Sequence, residues 1–148
     1  MKELSKEEIE EKVRGEYIKY KIIQEQIENI ISQREIIKES IEEVKKSIET
    51  IDKISELKNQ NEIWFSIGSD IFLRGNISEK DKVFVNIGSG IIQEKNIEDA
   101  KKFLNKKIEK MENTLEKINM SIETQAKKME DIEKRIQKLL SIKVDKEK

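Results

Sequence analysis

Apolar residues recur at alternating steps of three and four through the first third of this 148-residue chain. The pattern runs from Ile9 to Ile51 and predicts a helix with a heptad seam, as in a coiled coil. Such a helix would be about 63 Å long. Because it cannot bury its apolar stripe alone, it requires a partner. The seam residues are Ile9, Val13, Tyr20, Ile23, Ile27, Ile30, Ile37, Ile41, Val44, Ile48 and Ile51.

A second seam in the C-terminal third supplies that partner. It begins after Asn96, a good N-cap residue with Asp99 three positions later. Since the chain turns back between the two seams, we expect them to pack antiparallel. The second seam consists of Leu104, Ile108, Met111, Leu115, Ile118, Ile122, Met129, Ile132, Ile136 and Leu139.

Each seam has one polar interruption, and the two interruptions suggest a register. Placing Arg34 of the first seam beside Gln125 of the second leaves the other layers apolar, for example Ile27 with Ile132. A slip of one heptad would bury each polar group against apolar neighbours, at a cost on the order of 1–3 kcal/mol each. We therefore predict that Arg34 and Gln125 share one register layer.

Between the seams, from Asn61 to Lys95, the apolar period changes to two residues, as in β-strands. Gly68-Ser69 and Gly88-Ser89 each separate two strand-like stretches. A two-residue loop with glycine at its first position predicts a type II′ hairpin. A polar loop, Gly75 to Asp81, connects the hairpins. The predicted hairpin-turn residues are Gly68, Ser69, Gly88 and Ser89.

The sequence VNIGSGII at Val85–Ile92 raises the alternative of a phosphate-binding loop. A dinucleotide fingerprint requires a third glycine that opens a helix, but this chain has Gln93 there. A P-loop requires Gly-Lys-Ser or Gly-Lys-Thr, which is absent. Because SIGSDIF at Ser66–Phe72 repeats the Ile-Gly-Ser-x-Ile pattern, a structural turn is the better interpretation.

Large apolar residues fall on both predicted faces of the hairpins. In the first hairpin the predicted register places Phe65 opposite Phe72 and Trp64 opposite Leu73. In the second hairpin one predicted face holds Val83, Val85, Ile87 and Ile92, and the other holds Phe84 and Ile91.

A lone two-stranded hairpin is marginally stable in water and leaves its edges unpaired. Apolar faces and open edges together predict an oligomerisation platform that other subunits cover. The alternative is a monomer whose four strands fold against the bases of the helices. The predicted interface residues are Trp64, Phe65, Ile67, Ile71, Phe72, Val83, Phe84, Val85, Ile87, Ile91 and Ile92.

The free ends of the helices carry apolar residues that the predicted register does not bury. Its next layer would place Glu16 against Lys143, so we expect the ends to fray. Exposed apolar groups often mark an interaction site, and unfolded polypeptide suits such an unspecific surface. Fraying without binding is the alternative. The predicted client-binding residues are Leu4, Ile9, Val13, Tyr17, Leu140, Ile142 and Val144.

The amino-acid composition excludes most familiar kinds of active site. The chain has no cysteine and no histidine, so it lacks thiolate and imidazole ligands and the commonest general base. We expect no enzyme activity, cofactor or metal. Charged residues make up 41% of the chain, against about 25% in typical globular domains, which favours long solvated helices.

The balance of charge and the absence of long apolar runs bear on partners. The 30 basic and 31 acidic residues nearly cancel, which argues against nucleic acid as a partner. No apolar run approaches the roughly 20 residues that span a bilayer, and the first residues contain no apolar signal segment. We expect a soluble cytoplasmic protein without a membrane partner.

A long helix, two consecutive hairpins and a returning helix resemble the alpha class of prefoldin subunits, in their archaeal type. The most specific likeness is KVFVNIGSGIIQEKNIEDAKKFL at Lys82–Leu104. Strand, Gly-x-Gly turn, strand and an Asp/Glu-Ala step follow there in the order of the family. IGSDIF at Ile67–Phe72 and the flanking heptads extend the likeness over essentially the whole chain.

The resemblance implies a hexameric chaperone with a double β-barrel body and coiled-coil tentacles. Members of the family hold non-native proteins at the tentacle tips without ATP and deliver them to a group II chaperonin. By this likeness Phe65–Phe72 and Val83–Ile92 would build the body, together with beta-type subunits. The helix ends, near Ile9, Val13, Leu140 and Ile142, would contact non-native clients.

The sequence departs from the family pattern in the first hairpin. Ser66 replaces a frequent proline, and Asp70 replaces a frequent second glycine. Since strand edges decide which subunits fit, the partner choice stays open between beta-type subunits and further copies of this chain. Self-association through a non-closing interface would give filaments, so a structural filament or scaffold protein is the alternative function.

The sequence thus predicts a mainly α protein with a small β region. A long antiparallel two-helix coiled coil is joined by two β-hairpins that assemble into an oligomeric β-barrel body. One prefoldin-like subunit spans residues 1–148: an N-terminal helix at 1–58, hairpins at 61–95, a C-terminal helix at 96–142 and a frayed tail at 143–148.

Overall fold

The computed structural model describes residues 5–57 and 62–145, with side chains as far as Ile142. The predicted mainly helical fold with two antiparallel hairpins is confirmed. The described strands form two separate two-stranded sheets, so they close no barrel within the single chain. The elements are α1 (Lys6–Glu56), β1 (Glu62–Gly68), β2 (Ile71–Asn76), β3 (Lys82–Gly88), β4 (Ile91–Asn96) and α2 (Ile97–Asp145).

Contacts divide the chain into two units. The end unit combines Met1–Lys38 with Asn113–Lys148, and the hairpin unit is Glu39–Glu112. The end unit therefore contains the first part of α1 and the last part of α2. The hairpin unit contains the remaining parts of both helices and all four strands.

Both helices begin at side-chain caps. Ser5 Oγ accepts a hydrogen bond from the Glu8 N–H at 3.2 Å, and Glu8 Oε2 accepts one from the Ser5 N–H at 2.7 Å. This reciprocal pair is a capping box. At α2, Asn96 Oδ1 accepts from the Asp99 N–H at 2.8 Å, which confirms Asn96 as the N-cap. The caps satisfy backbone donors that would otherwise lack partners in the first turns.

The predicted seams are the buried stripes of the two helices. Every apolar residue named for either seam is buried or half-buried in the structure. Ile41, Val44, Ala100 and Ile108 form the core of the hairpin unit. Burying an isoleucine side chain fully stabilises a fold by about 1.5–3 kcal/mol, so this stripe dominates helix pairing.

The predicted register between the seams is wrong. In the end unit the side-chain amide of Gln125 donates to Gln26 Oε1 at 3.0 Å, whereas Arg34 pairs with Glu35, its neighbour on α1, at 3.1 Å. Positions 26 and 34 lie about 12 Å apart along a helix. Arg34 and Gln125 therefore do not share a layer.

An ion pair elsewhere in the end unit shows the same shift. Glu16 accepts a hydrogen bond from Arg135 Nε at 2.9 Å, instead of lying against Lys143 as predicted. The shift is eight residues, which is close to one heptad. In the hairpin unit Asp52 pairs with Lys101 at 2.8 Å, where the predicted register would place residue 107 opposite.

The physical reason lies in how each polar side chain finds a partner. The Arg34 guanidinium pairs with Glu35 of its own helix at 3.1 Å, and its side chain stays 29% exposed. Gln125 uses Gln26 across the seam. The two groups therefore do not pair with each other. Part of the expected penalty remains, because Gln125 Oε1 is buried and has no hydrogen-bond partner among the described residues.

The α2 helix also continues further than the sequence predicted. It ends at Asp145, so residues 143–145 of the predicted frayed tail are helical. Residues 146–148 lie outside the described part of the chain. A longer α2 and a shifted register together extend the pairing of the helices toward the start of α1.

Engineered cysteines test this register, because the natural chain has no cysteine. A short bis-maleimide should join Gln26→Cys to Gln125→Cys within one molecule. The matched pair Arg34→Cys with Gln125→Cys should react far more slowly, since position 34 lies about 12 Å further along α1. Mass spectrometry of digested protein measures both yields. Equal yields, or a preference for the second pair, would restore the register predicted from the sequence.

Candidate assembly and client-binding surfaces

Each hairpin turns one residue later than the sequence predicted. The turns are Ser69-Asp70 and Ser89-Gly90, with φ of 48° and 60° in the first and 51° and 75° in the second. Positive φ at both central residues makes these type I′ turns, so the predicted type II′ is wrong. Gly68 and Gly88 precede the turns at φ of 100° and 121°, a conformation that favours glycine.

A β-bulge before each turn explains the delay. Gly68 pairs with Ile71 but Ser66 pairs with Phe72, so Ile67 is an extra residue in β1. The Ser66 hydroxyl accepts a hydrogen bond from the Gly68 N–H at 3.4 Å. That local bond supports the bulge.

The second hairpin repeats the arrangement. Gly88 pairs with Ile91 and Asn86 with Ile92, so Ile87 is the extra residue. Asn86 Oδ1 accepts from the Gly88 N–H at 3.0 Å. A serine or asparagine two residues before a glycine was the sequence signal for both bulges, since such side chains bond the backbone two positions on.

The bulges change which strand residues share a face in the first hairpin. Phe65 pairs with Leu73 and Trp64 pairs with Arg74, so the predicted partners Phe72 and Leu73 are each off by one. A one-residue slip moves every side chain of a strand to the other face. Phe65 and Leu73 now form one apolar face.

The second hairpin needs the same correction. Because Ile92 pairs with Asn86, it lies on the face of Phe84. The predicted grouping of Ile92 with Val83 and Val85 is wrong. Each hairpin keeps apolar side chains on both faces, so the expectation of two apolar faces survives the change in register.

Most of the predicted interface residues are exposed in the single chain. Phe84 is 77% exposed, and Trp64 and Ile92 are each 65% exposed. Val83 and Val85 are half-buried. Leu73, which the sequence analysis left out, is 55% exposed and follows from the corrected register. The other exposed interface residues are Phe65, Ile67, Ile71, Phe72, Ile87 and Ile91.

Cross-strand neighbours orient the two large aromatic residues of the first hairpin. The Arg74 guanidinium lies 5.7 Å from the centre of the Trp64 ring, in cation–π contact, and 3.8 Å from the Glu62 carboxylate. On the other face the Phe65 ring covers Gly75, where a β-carbon would overlap the ring. The hairpin therefore presents its aromatic side chains in defined positions.

One predicted client-binding residue is in the interior of the end unit. Ile9 is 0% exposed, so the expectation that it stays exposed is wrong. The register set by the Gln26–Gln125 and Glu16–Arg135 hydrogen bonds places Ile9 level with Ile142 of α2. Leu140 of α2 lines the same groove as Ile9.

The other predicted client-binding residues differ in exposure. Tyr17 is 54% exposed and Leu140 is 45% exposed, while Val13 and Ile142 are half-buried. The side chains of Leu4 and Val144 lie outside the described residues. Ile18 and Ile22, one turn apart on α1, are 55% and 50% exposed. The heptad pattern did not predict this exposed pair, because both residues lie outside it.

Two shallow grooves meet at Tyr17. One, of about 320 Å³, lies between Tyr17 and Leu140 and has Ile9 and Val13 in its lining. The other, of about 350 Å³, is lined by Tyr17, Tyr20, Glu133, Ile136 and Gln137. A hydrogen bond from Tyr20 to Glu133 raises the pKa of Tyr20. Open grooves with apolar walls can bind apolar side chains of a partner.

The charged groups of the end unit form ion pairs on the helix surface. Hydrogen bonds from Lys19 and Arg135 lower the pKa of Glu16 from its ordinary value of 4.5. The Lys19 Nζ lies 2.8 Å from Glu16 Oε1, and Arg135 Nη2 lies 2.9 Å from Glu16 Oε2. Among the described residues there is no group of three or more acidic side chains placed to hold a metal ion.

In residues 5–57 and 62–145 no helix has an apolar stretch long enough to cross a bilayer.

Comparison with known proteins places this geometry in a family. A family model described as "Prefoldin subunit" matches residues 23–141. The chain is 33% identical to prefoldin subunit alpha of Methanospirillum hungatei over 104 residues, covering 70% of this chain and 69% of that protein. It is 30% identical to prefoldin subunit alpha of Pyrococcus horikoshii over 123 residues, covering 81% and 82%.

The fold is also similar to a solved structure. The cryo-EM structure of filamentous PFD from Methanocaldococcus jannaschii matches with a TM-score of 0.70 at 22% identity. The match covers 76% of this chain and 93% of that chain. At this identity the likeness concerns the fold.

The Glu16 ion pairs predict a pH dependence of stability. Because the folded pKa of Glu16 lies below 4.5, its contribution is present above about pH 5 and is lost as the pH falls through the lowered value. Glu16→Gln should therefore melt up to about 4 °C below the natural chain at pH 7, and the difference should vanish at strongly acidic pH. Glu11→Gln, an exposed carboxylate on the same helix, is the control. A difference that persists at low pH would contradict the assignment.

Proposed function

Because the chain belongs to the prefoldin family, we propose that it is a subunit of an ATP-independent chaperone that holds non-native polypeptides. The coiled-coil ends bind the client, and the hairpins join the subunit to others. The subunit then passes its client to a group II chaperonin. No catalytic step is part of this function.

The observation that carries client binding is the apolar surface of the end unit. Tyr17 and Leu140 are about half exposed beside shallow grooves, and Ile18 and Ile22 add exposed carbon surface. Open grooves without deep pockets suit ligands of variable shape. Non-native proteins are such ligands, because they expose large apolar side chains in sequences and spacings that differ from one protein to the next.

The hairpins are proposed to be the assembly platform. Burying a side chain such as Phe84 would stabilise association by about 1.5–3 kcal/mol, and several comparable side chains of the two hairpins are also exposed. Both edges of each two-stranded sheet also offer unpaired backbone groups. Beta-type prefoldin subunits or further copies of this chain would cover these surfaces.

Suppression of aggregation tests client binding. The full chain, with a beta-type subunit where assembly requires it, should reduce light scattering from a heat-aggregating client. Tyr17→Ser with Leu140→Ser should require about thirtyfold more protein for equal protection, because two apolar contacts of about 1 kcal/mol each are lost.

The matched control is Ile36→Ser with Met120→Ser, which removes two side chains that are each 62% exposed on the same helices. Circular dichroism should give both double variants the helix content of the natural chain. Equal losses in the two variants, or no protection by the natural chain, would refute client binding at the helix ends.

A structural filament is the second candidate. The exposed strands of the hairpins could join copies of this chain head to tail, and the similar fold from M. jannaschii is filamentous. Electron microscopy of the purified chain alone separates the candidates. Long fibres favour the filament, whereas small discrete particles favour a closed chaperone assembly.

A further inference from the structure

A third groove of the end unit has an apolar floor and a basic rim. Its volume is about 570 Å³, larger than either groove beside Tyr17. Leu139 and Ile142 supply apolar carbon surface, and Gly15 leaves the α1 side of the groove without a side chain. We call it the basic groove, after the charged residues described next.

Four cations and one carboxylate line the basic groove. The carboxylate, Glu16, already receives hydrogen bonds from Lys19 at 2.8 Å and from Arg135 at 2.9 Å. The remaining cations, Lys12 and Lys138, line the same groove and form no ion pair within the described residues. At neutral pH the lining therefore carries three positive charges in excess.

The excess of positive charge is larger at this groove than at the others of the end unit. A fourth groove, of about 350 Å³, has Lys19, Lys128 and Arg135 against Asp131, an excess of two. In the groove between Tyr17 and Leu140, Glu10 and Arg14 balance each other in sign. The groove beside Tyr20 contains one charged side chain, Glu133, which accepts a hydrogen bond from Tyr20. A ligand that carries negative charge is therefore favoured most strongly at the basic groove, where Lys12 and Lys138 form no ion pair within the described residues.

The combination of carbon surface and unpaired amines defines a ligand class. A purely apolar ligand would form no ion pair with Lys12 or Lys138. A purely anionic ligand would leave Leu139 and Ile142 exposed to water. Complementary charge at the rim of an apolar site favours the encounter and discriminates among partners. The fitting ligand has both features next to each other.

We propose that the basic groove selects polypeptide segments in which aspartate or glutamate flanks a large apolar residue. The apolar residue contacts Leu139 and Ile142, and the flanking carboxylates pair with Lys12 and Lys138. The inference rests on the proposed function, binding of non-native polypeptide at the helix ends, and adds which segments of a client are preferred.

Fluorescence anisotropy with three labelled peptides tests the preference. One peptide carries phenylalanine flanked by glutamates, the second has lysines in place of the glutamates, and the third has the glutamates without the phenylalanine. The assembled natural protein should bind the first at least about fivefold more tightly than either of the others. High salt should remove the advantage over the lysine peptide, because surface charges are screened.

Charge reversal locates the preference. Lys12→Glu with Lys138→Glu should abolish the advantage of the acidic peptide. Lys46→Glu with Lys117→Glu, at exposed positions elsewhere on the same helices, changes the net charge equally and should leave the advantage intact. Circular dichroism and native mass spectrometry should give both variants the helix content and assembly size of the natural protein.

Three results would overturn the proposal. These are equal binding of the first two peptides, an advantage that survives reversal at Lys12 and Lys138, and displacement of the acidic peptide by single-stranded DNA at matched charge. The last would show recognition of charge alone.

If aggregation is suppressed while the peptides bind equally, client binding stands and the selectivity is wrong. If none of the three peptides binds and the client still aggregates, the proposed function fails as well.

Discussion

Burial of one apolar stripe on each of two long helices is the constraint on which the rest of the structure depends. A chain with 41% charged residues has little else to remove from water, and its core residues, such as Ile41, Val44 and Ile108, belong to that stripe. Pairing the stripes antiparallel brings the two helix ends together in the end unit. It leaves large apolar side chains of the hairpins exposed in the single chain.

The heptad spacing of apolar residues could be predicted from the sequence, whereas the register between the two helices could not. The seam residues are buried as predicted because a three-and-four spacing admits one helix face. The register between the helices depends on the hydrogen-bond partners of single polar side chains. Arg34 hydrogen-bonds to Glu35 of its own helix, and Gln125 hydrogen-bonds to Gln26 across the seam. Similarly, Gly-Ser pairs located both hairpins, but the bulges supported by Ser66 and Asn86 shifted each turn by one residue.

The same holds for the candidate surfaces: some of their features follow from the apolar pattern of the sequence, and others depend on how the helices pack. Apolar strands predicted the exposed hairpin surface, because alternation places large side chains on both faces whatever the exact register. Ile9 is buried because the shifted register places it level with Ile142 of α2, and that register was not visible in the sequence. The basic groove depends on that pairing too, because its cations come from both helices.

In the proposed assembly the exposed hairpin strands are covered by another subunit, and native mass spectrometry tests this cover most directly. At micromolar concentration the natural chain, alone or mixed with a beta-type prefoldin subunit, should give assemblies well above the 17.5 kDa of one chain. Replacing Phe84 and Ile92 by serine should return it to single chains of unchanged helix content. A natural chain that stays at 17.5 kDa in both conditions would contradict the account.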